Sequence, residues 1–234
     1  MTADTLFAVA DPPKKRPWGE ALAVSAAAFA AYAVLFYFGI GQAVGGVAGV
    51  AAGMLVAVAV VTDFKWCRIF NWTTYVAFGW AAALGVTADL CGSVPIHYGS
   101  QIVNVADFLG VEGLSQVLVG FAVCFGAMFA MFTVFGGGAG DVKFIAALGA
   151  LLGWEIGIYT WVYGCLAAAL FTIGVALVRI GPKTLLAELL SKIGLFGLSL
   201  ALGGPRDETK ALFRRRIPMG PFFGVGAIYL MLSQ

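Results

Sequence analysis

The chain has 234 residues, of which 61% are hydrophobic and 11% charged. A soluble domain is roughly 45–50% apolar and about 25% charged, so this composition excludes an ordinary water-soluble globule. It points to a bilayer, where helices satisfy their own backbone hydrogen bonds, and a net charge of +2 gives no sign of a nucleic-acid partner.

The start, Met1 to Pro17, is polar and carries Lys14, Lys15 and Arg16. The apolar run after it is too long for a signal core and has no evident cleavage site, so a first span is expected rather than a cleaved signal. Seven apolar stretches follow in chain order: Trp18–Phe38, Gly41–Val61, Thr73–Ala88, Leu114–Phe135, Val142–Trp154, Gly157–Val178 and Ile217–Leu232. A span needs about 20 residues. Four of the seven meet that easily, Thr73–Ala88 and Ile217–Leu232 are marginal, and Val142–Trp154 is short enough to be re-entrant.

The basic residues arbitrate. With the N-terminus inside and every stretch crossing, all 14 Lys and Arg residues fall on the cytoplasmic side. The external segments then hold Asp89, Asp107, Glu112 and Glu155 and no basic residue, as the positive-inside rule requires. A re-entrant Val142–Trp154 would export the basic segment after Arg179, so a short crossing is the better expectation. Lys183–Leu202 is punctuated by Lys183, Glu188 and Lys192, with leucines at helical spacing. It reads as an amphipathic helix on the cytoplasmic face. Asp89–Gly113 has no strong pattern. The expected architecture is all-α: a polytopic membrane bundle of about seven transmembrane helices plus the amphipathic helix. Residues 1–17 form a cytoplasmic tail and residues 18–234 one membrane-embedded domain without internal repeat.

Two acids stand apart from the loop charges. Asp63 closes the second stretch, after Val58-Ala59-Val60-Val61-Thr62, and Asp141 opens the fifth, after Gly136-Gly137-Gly138-Ala139-Gly140. Ionisable residues at membrane depth are costly and point to function. The glycines let backbone pass close to another group, and Asp141 falls in a first helical turn, where the macrodipole favours a carboxylate. Taken singly, Asp141 fits a capping residue and Asp63 a helix-end charge beside Lys65 and Arg68. Together, at one boundary, they can share a proton: one ionised and able to deprotonate water, the other protonated and able to donate to a carbonyl oxygen. Such a pair titrates as a unit. An intramembrane ion site of a transporter or channel is the rival use of the same two residues.

Gly138-Ala139-Gly140-Asp141-Val142-Lys143, followed by Ala146-Ala147-Leu148-Gly149-Ala150-Leu151-Leu152-Gly153, resembles the prepilin and preflagellin peptidases, GxGD membrane aspartyl proteases. The partner string in this chain is Asp63-Phe64-Lys65-Trp66-Cys67-Arg68-Ile69-Phe70-Asn71, with Phe70 where that family has proline. The late Ile217-Pro218-Met219-Gly220-Pro221-Phe222 is similar to the element before its last helix.

This resemblance implies catalytic Asp63 and Asp141, supported by the motif residues Gly138, Gly140, Lys143 and Asn71. It further implies a type IV prepilin or pseudopilin as substrate, cleaved after a glycine where its basic leader meets its apolar helix. The active site would face the cytoplasm from the bacterial inner membrane. No metal or other cofactor is needed, since the aspartates activate water themselves. The four cysteines, Cys67, Cys91, Cys124 and Cys165, form no CxxC pair. Neither a disulfide framework nor a zinc site is therefore expected, and the chain resembles the peptidase-only members serving Flp or tight-adherence pili, which lack the methyltransferase insert. An inactive homologue acting as a scaffold would carry the same outline.

The remaining candidates are weaker. Lys143 suits a modulator of the Asp141 charge, a substrate contact or a boundary anchor. Asn71 suits either an active-site hydrogen bond or a cap on the third helix. His97 is expected to face solvent in the external loop. Trp18, Trp66, Trp72, Trp154 and Trp161 lie near span ends, as an interfacial belt does.

Overall fold

The computed structural model describes residues 46–66, 68–98, 101–135, 138–183, 186–187 and 219–232, with the isolated positions 19, 23, 26 and 27. Nearly all of the expected first span, Trp18–Phe38, and of the expected amphipathic helix, Lys183–Leu202, lies outside them. The elements are α1 (Gly46–Trp66), α2 (Asn71–Cys91), β1 (Pro95–Tyr98), β2 (Gln101–Asn104), α3 (Val105–Leu109), α4 (Leu114–Phe135), α5 (Ala139–Leu152), α6 (Trp154–Ile180) and α7 (Gly220–Leu232).

Among the described residues, four helical stretches are long and apolar enough to cross a bilayer: α1, α2, Val105–Val134 with α4 in it, and α6 through Val178. Helix α5 has 14 residues, or about 21 Å at ~1.5 Å each, against a hydrocarbon core of about 30 Å. It ends at Gly153, whose φ of +89° turns the chain directly into α6. Helix α7 has 13 residues.

Asp89–Gly113, patternless in sequence, contains structure that the all-α expectation did not include. An antiparallel two-stranded hairpin pairs Pro95 with Asn104 and His97 with Ile102. His97 is exposed on it, as expected. Past α3, the Asp89 carboxylate accepts the Leu114 N–H at 3.0 Å, so the end of α2 caps the start of α4.

The chain divides into two compact units, residues 1–11 with 166–217 and residues 12–165 with 218–234. Every contact described below lies in the second. Its core is α5, buried from Phe144 to Leu151. Helices α4, α2 and α1 pack on α5, and α7 packs on α1. Helices α4, α5 and α6 converge on glycines. A Cβ on Gly149 would lie 2.6 Å from the Gly120 carbonyl oxygen and would also strike the Cys124 sulfur. A Cβ on Gly157 would lie 3.0 Å from the Gly149 Cα. Without a hydrophobic drive between helices in lipid, such close backbone approach supplies the packing energy.

Candidate active site

Asp63 lies in the last turn of α1 and is 7% exposed. The Thr62 hydroxyl beside it donates to the Ala59 carbonyl at 3.2 Å, staying within the helix rather than competing for the carboxylate. The chain leaves α1 through Arg68, Ile69 and Phe70 and enters α2 at Asn71. Phe70 is the N-cap of α2, with φ −79° and ψ 134°. Proline fixes φ at about −65 ± 15°, so phenylalanine here adopts the backbone conformation that proline would impose. Its ring packs edge-on against Trp66 at 5.8 Å, and its carbonyl accepts the Thr73 hydroxyl at 2.7 Å.

Asp141 sits in the first turn of α5, whose N-cap is Gly138. The Asp141 N–H donates to the Gly138 carbonyl at 3.0 Å, and the Gly138 backbone bonds back to the Asp141 carboxylate. That is the reciprocal pattern of a capping box, with the acid three residues past the cap. Asp141 is therefore a first-turn residue and not the cap itself. Both motif glycines have steric causes. A Cβ on Gly138 would lie 2.7 Å from the Asp141 carboxylate, and one on Gly140 would lie 3.2 Å from the Ile69 Cβ. The second contact matters more for the site, because Ile69 belongs to the loop leaving Asp63. Glycine at 140 lets the two motifs close on one another.

The two carboxylates consequently lie within reach of each other's charge. Cys165 of α6 also lies within reach of the Asp141 charge. Asp63 in turn accepts the Gly220 backbone N–H of α7 at 2.7 Å.

Lys143 follows one half-turn after Asp141 and points to α2. Its ammonium donates to the Asn71 side-chain oxygen at 3.0 Å and to the Tyr75 hydroxyl at 3.3 Å, and it lies 5.3 Å from the Tyr75 ring centre. Asn71 thus serves Lys143, and the capping position belongs to Phe70. Sequence reasoning missed Tyr75 and the Gly220 contact. Tyr75 had a signal, since it lies one helical turn after Asn71 on the same face. The Gly220 bond joins residues 157 positions apart and had none beyond the late motif itself.

Among the described residues, no group of three or more His, Cys, Asp or Glu could hold a metal ion. Two carboxylates that interact, at helix ends and beside backbone donors, suit proton transfer to and from water. The sequence model of the type IV leader peptidase family matches residues 50–173, more than half the chain and the part with both aspartates. Neither a curated protein nor a solved structure matches the chain.

Proposed function

The chain belongs to the type IV leader peptidase family, and from that we propose that it is a membrane aspartyl endopeptidase removing the leader of type IV prepilin-like proteins at the cytoplasmic boundary. The observation that supports the aspartyl mechanism is that Asp63 and Asp141, delivered by separate helices, lie within reach of each other's charge. The ionised member takes a proton from water as the oxygen attacks the scissile carbonyl carbon. The protonated member gives its proton to the carbonyl oxygen. The tetrahedral diol then collapses: one of its hydroxyls returns a proton to the second aspartate as the carboxylic acid forms, the C–N bond breaks, and the leaving amine takes the proton first removed from water. Both aspartates are thereby reset.

Lys143 is the substrate contact in this scheme. Asn71 and Tyr75 use two of its three N–H bonds, and among the described residues no carboxylate pairs with it. A cation held against α2 by two neutral groups suits a carbonyl or carboxylate of the bound chain.

The reading is tested by incubating the protein in membranes with a type IV prepilin and weighing the product. The expected product is the mature protein with a new amino terminus and no added methyl group, even with a methyl donor present. The absence of any CxxC pair among the four cysteines motivates the second half of that expectation. An unprocessed prepilin counts against the peptidase, and a methylated product counts against cleavage alone.

Orientation has its own test. With the N-terminus and both aspartates at the cytoplasmic face of the bacterial inner membrane, the exposed Cys91 at the end of α2 is external. An impermeant thiol reagent added outside intact cells should label Cys91 and spare Cys67. The reverse pattern would invert the topology.

A further inference from the structure

The late Pro-x-Gly-Pro element entered only through a resemblance and had no task. We infer that the start of α7 is a positioning device for the Asp63 carboxylate, with glycine required at position 220. The inference rests on the proposed catalytic role of Asp63.

The Gly220 N–H donates to the Asp63 Oδ2 at 2.7 Å, in a buried bond, and the Met219 backbone contributes beside it. The first N–H groups of a helix have no partner inside the helix. Here the Phe222 and Phe223 N–H groups turn back to the Met219 carbonyl, each at 3.1 Å, and Pro221 has no N–H. The Gly220 N–H, with the Met219 backbone beside it, is therefore what this end directs at the carboxylate. A carboxyl group is free to rotate about its Cβ–Cγ bond, and a bond to one oxygen ends that freedom.

Sterics explain the glycine. A Cβ at 220 would lie 2.8 Å from the Asp63 Cβ, 3.0 Å from its Oδ2 and 3.1 Å from the Ala59 carbonyl oxygen. The Asp63 Cβ and the Ala59 carbonyl oxygen are fixed by α1; only the Oδ2 could turn aside, and doing so would break its bond to Gly220. Alanine would therefore push the Asp63 side chain rather than be accommodated around it.

Helix α7 is itself held by both helices that carry the dyad. Gly224 abuts Val60 of α1, and Phe223, 1% exposed, stacks on Phe144 of α5 with ring centres 6.2 Å apart. The element that grips Asp63 is thus referenced to the helix of Asp141. Reaction geometry tolerates little error, and about 1 Å of misplacement can lower a rate ~10²-fold.

The test compares Gly220→Ala with Val225→Ala in the full chain, in membranes, on a type IV prepilin. Gly220→Ala should lower kcat about 10²-fold while KM stays within roughly threefold, because the substrate contacts are untouched. Val225, on the same helix, is exposed, so Val225→Ala should leave kcat within a few-fold. Wild-type kcat in Gly220→Ala, with Asp63→Asn inactive, overturns the positioning role alone. An equal loss in Val225→Ala also overturns it, since the effect would then be a general disturbance of α7. Full activity of Asp63→Asn would instead sink the reading of Asp63 on which the inference stands. Should Gly220→Ala not fold, hydrogen exchange at the Gly220 amide decides. It should quicken tenfold or more in Asp63→Ala, and unchanged protection would refute the bond.

Discussion

Asp63→Asn, Asp141→Asn and the double variant should each lose prepilin processing by about 10³-fold or more, and the double variant should be no worse than either single one. The argument is one of stoichiometry. Hydrolysis needs a base for water and an acid for the carbonyl oxygen at the same moment. Asparagine keeps the shape of aspartate but can neither take nor give the proton. Either substitution therefore removes a whole step, and the second has nothing further to remove. The structure supports comparing the variants, because each carboxylate has a neighbour that an amide can still serve. The Gly220 N–H can donate to the amide oxygen at 63, and the Gly138 backbone to that at 141. Membrane insertion and thermal unfolding should accordingly stay near those of the native chain.

Two further variants bound the result. Asp107→Asn, exposed in α3, should process normally. Lys143→Met should raise KM about tenfold with kcat within a few-fold, consistent with the loss of one charge-assisted hydrogen bond. The readout is the gel shift of a co-expressed prepilin, followed by rates on purified components. Substantial cleavage by one Asp→Asn variant and none by the other would refute a shared proton. Full activity in both would return the transporter's ion site as the explanation of the pair.

The sequence was most legible where one physical signal dominates. Helix α4 runs from Leu114 to Phe135, as its unbroken apolar composition indicated. Helix α2 was expected over Thr73–Ala88 but runs from Asn71 to Cys91. Hydropathy marks where lipid ends, whereas the backbone ladder continues through Asn71, Trp72 and Asp89. Helix α5 is displaced from Val142–Trp154 to Ala139–Leu152 for a related reason. Its first turn, Ala139-Gly140-Asp141, carries little hydropathy signal, and Trp154 already belongs to α6. Asp63 and Asp141 could be singled out because charge at membrane depth is costly. Their neighbours could not, since Ile69 and Gly220 show no contact with the site until α1, α5 and α7 are brought together. The hairpin at Pro95–Asn104 escaped notice because its strands are four residues each and do not alternate clearly.

Gly149→Ala should be among the damaging single methyl additions in the helix bundle. It should cost about 1–3 kcal/mol of stability, as overpacking typically does, and lower activity beyond the loss of folded protein. The added Cβ meets two kinds of obstacle. The Cys124 sulfur is a side-chain atom, and removing it is simple. The Gly120 carbonyl oxygen, 2.6 Å away, belongs to the backbone of α4 and can move only with that helix. Cys124→Ala should therefore rescue Gly149→Ala in part and never fully. Gly126→Ala, also on α4, is the internal control. Nothing lies within 4 Å of its added Cβ, so it should be neutral or slightly stabilising through helix propensity. The link to function runs along α5. Gly149 and Asp141 share that helix two turns apart, and a rigid helix pushed off α4 carries its first turn with it. Gly140 then loses its fit against Ile69, and the two aspartates lose their registration. Melting of the detergent-solubilised protein and its rate on prepilin, measured together, separate the two effects. A Gly149→Ala variant with native melting and native rate would show that α4 and α5 are not held backbone to backbone. Full recovery by Cys124→Ala would assign the obstruction to the sulfur alone.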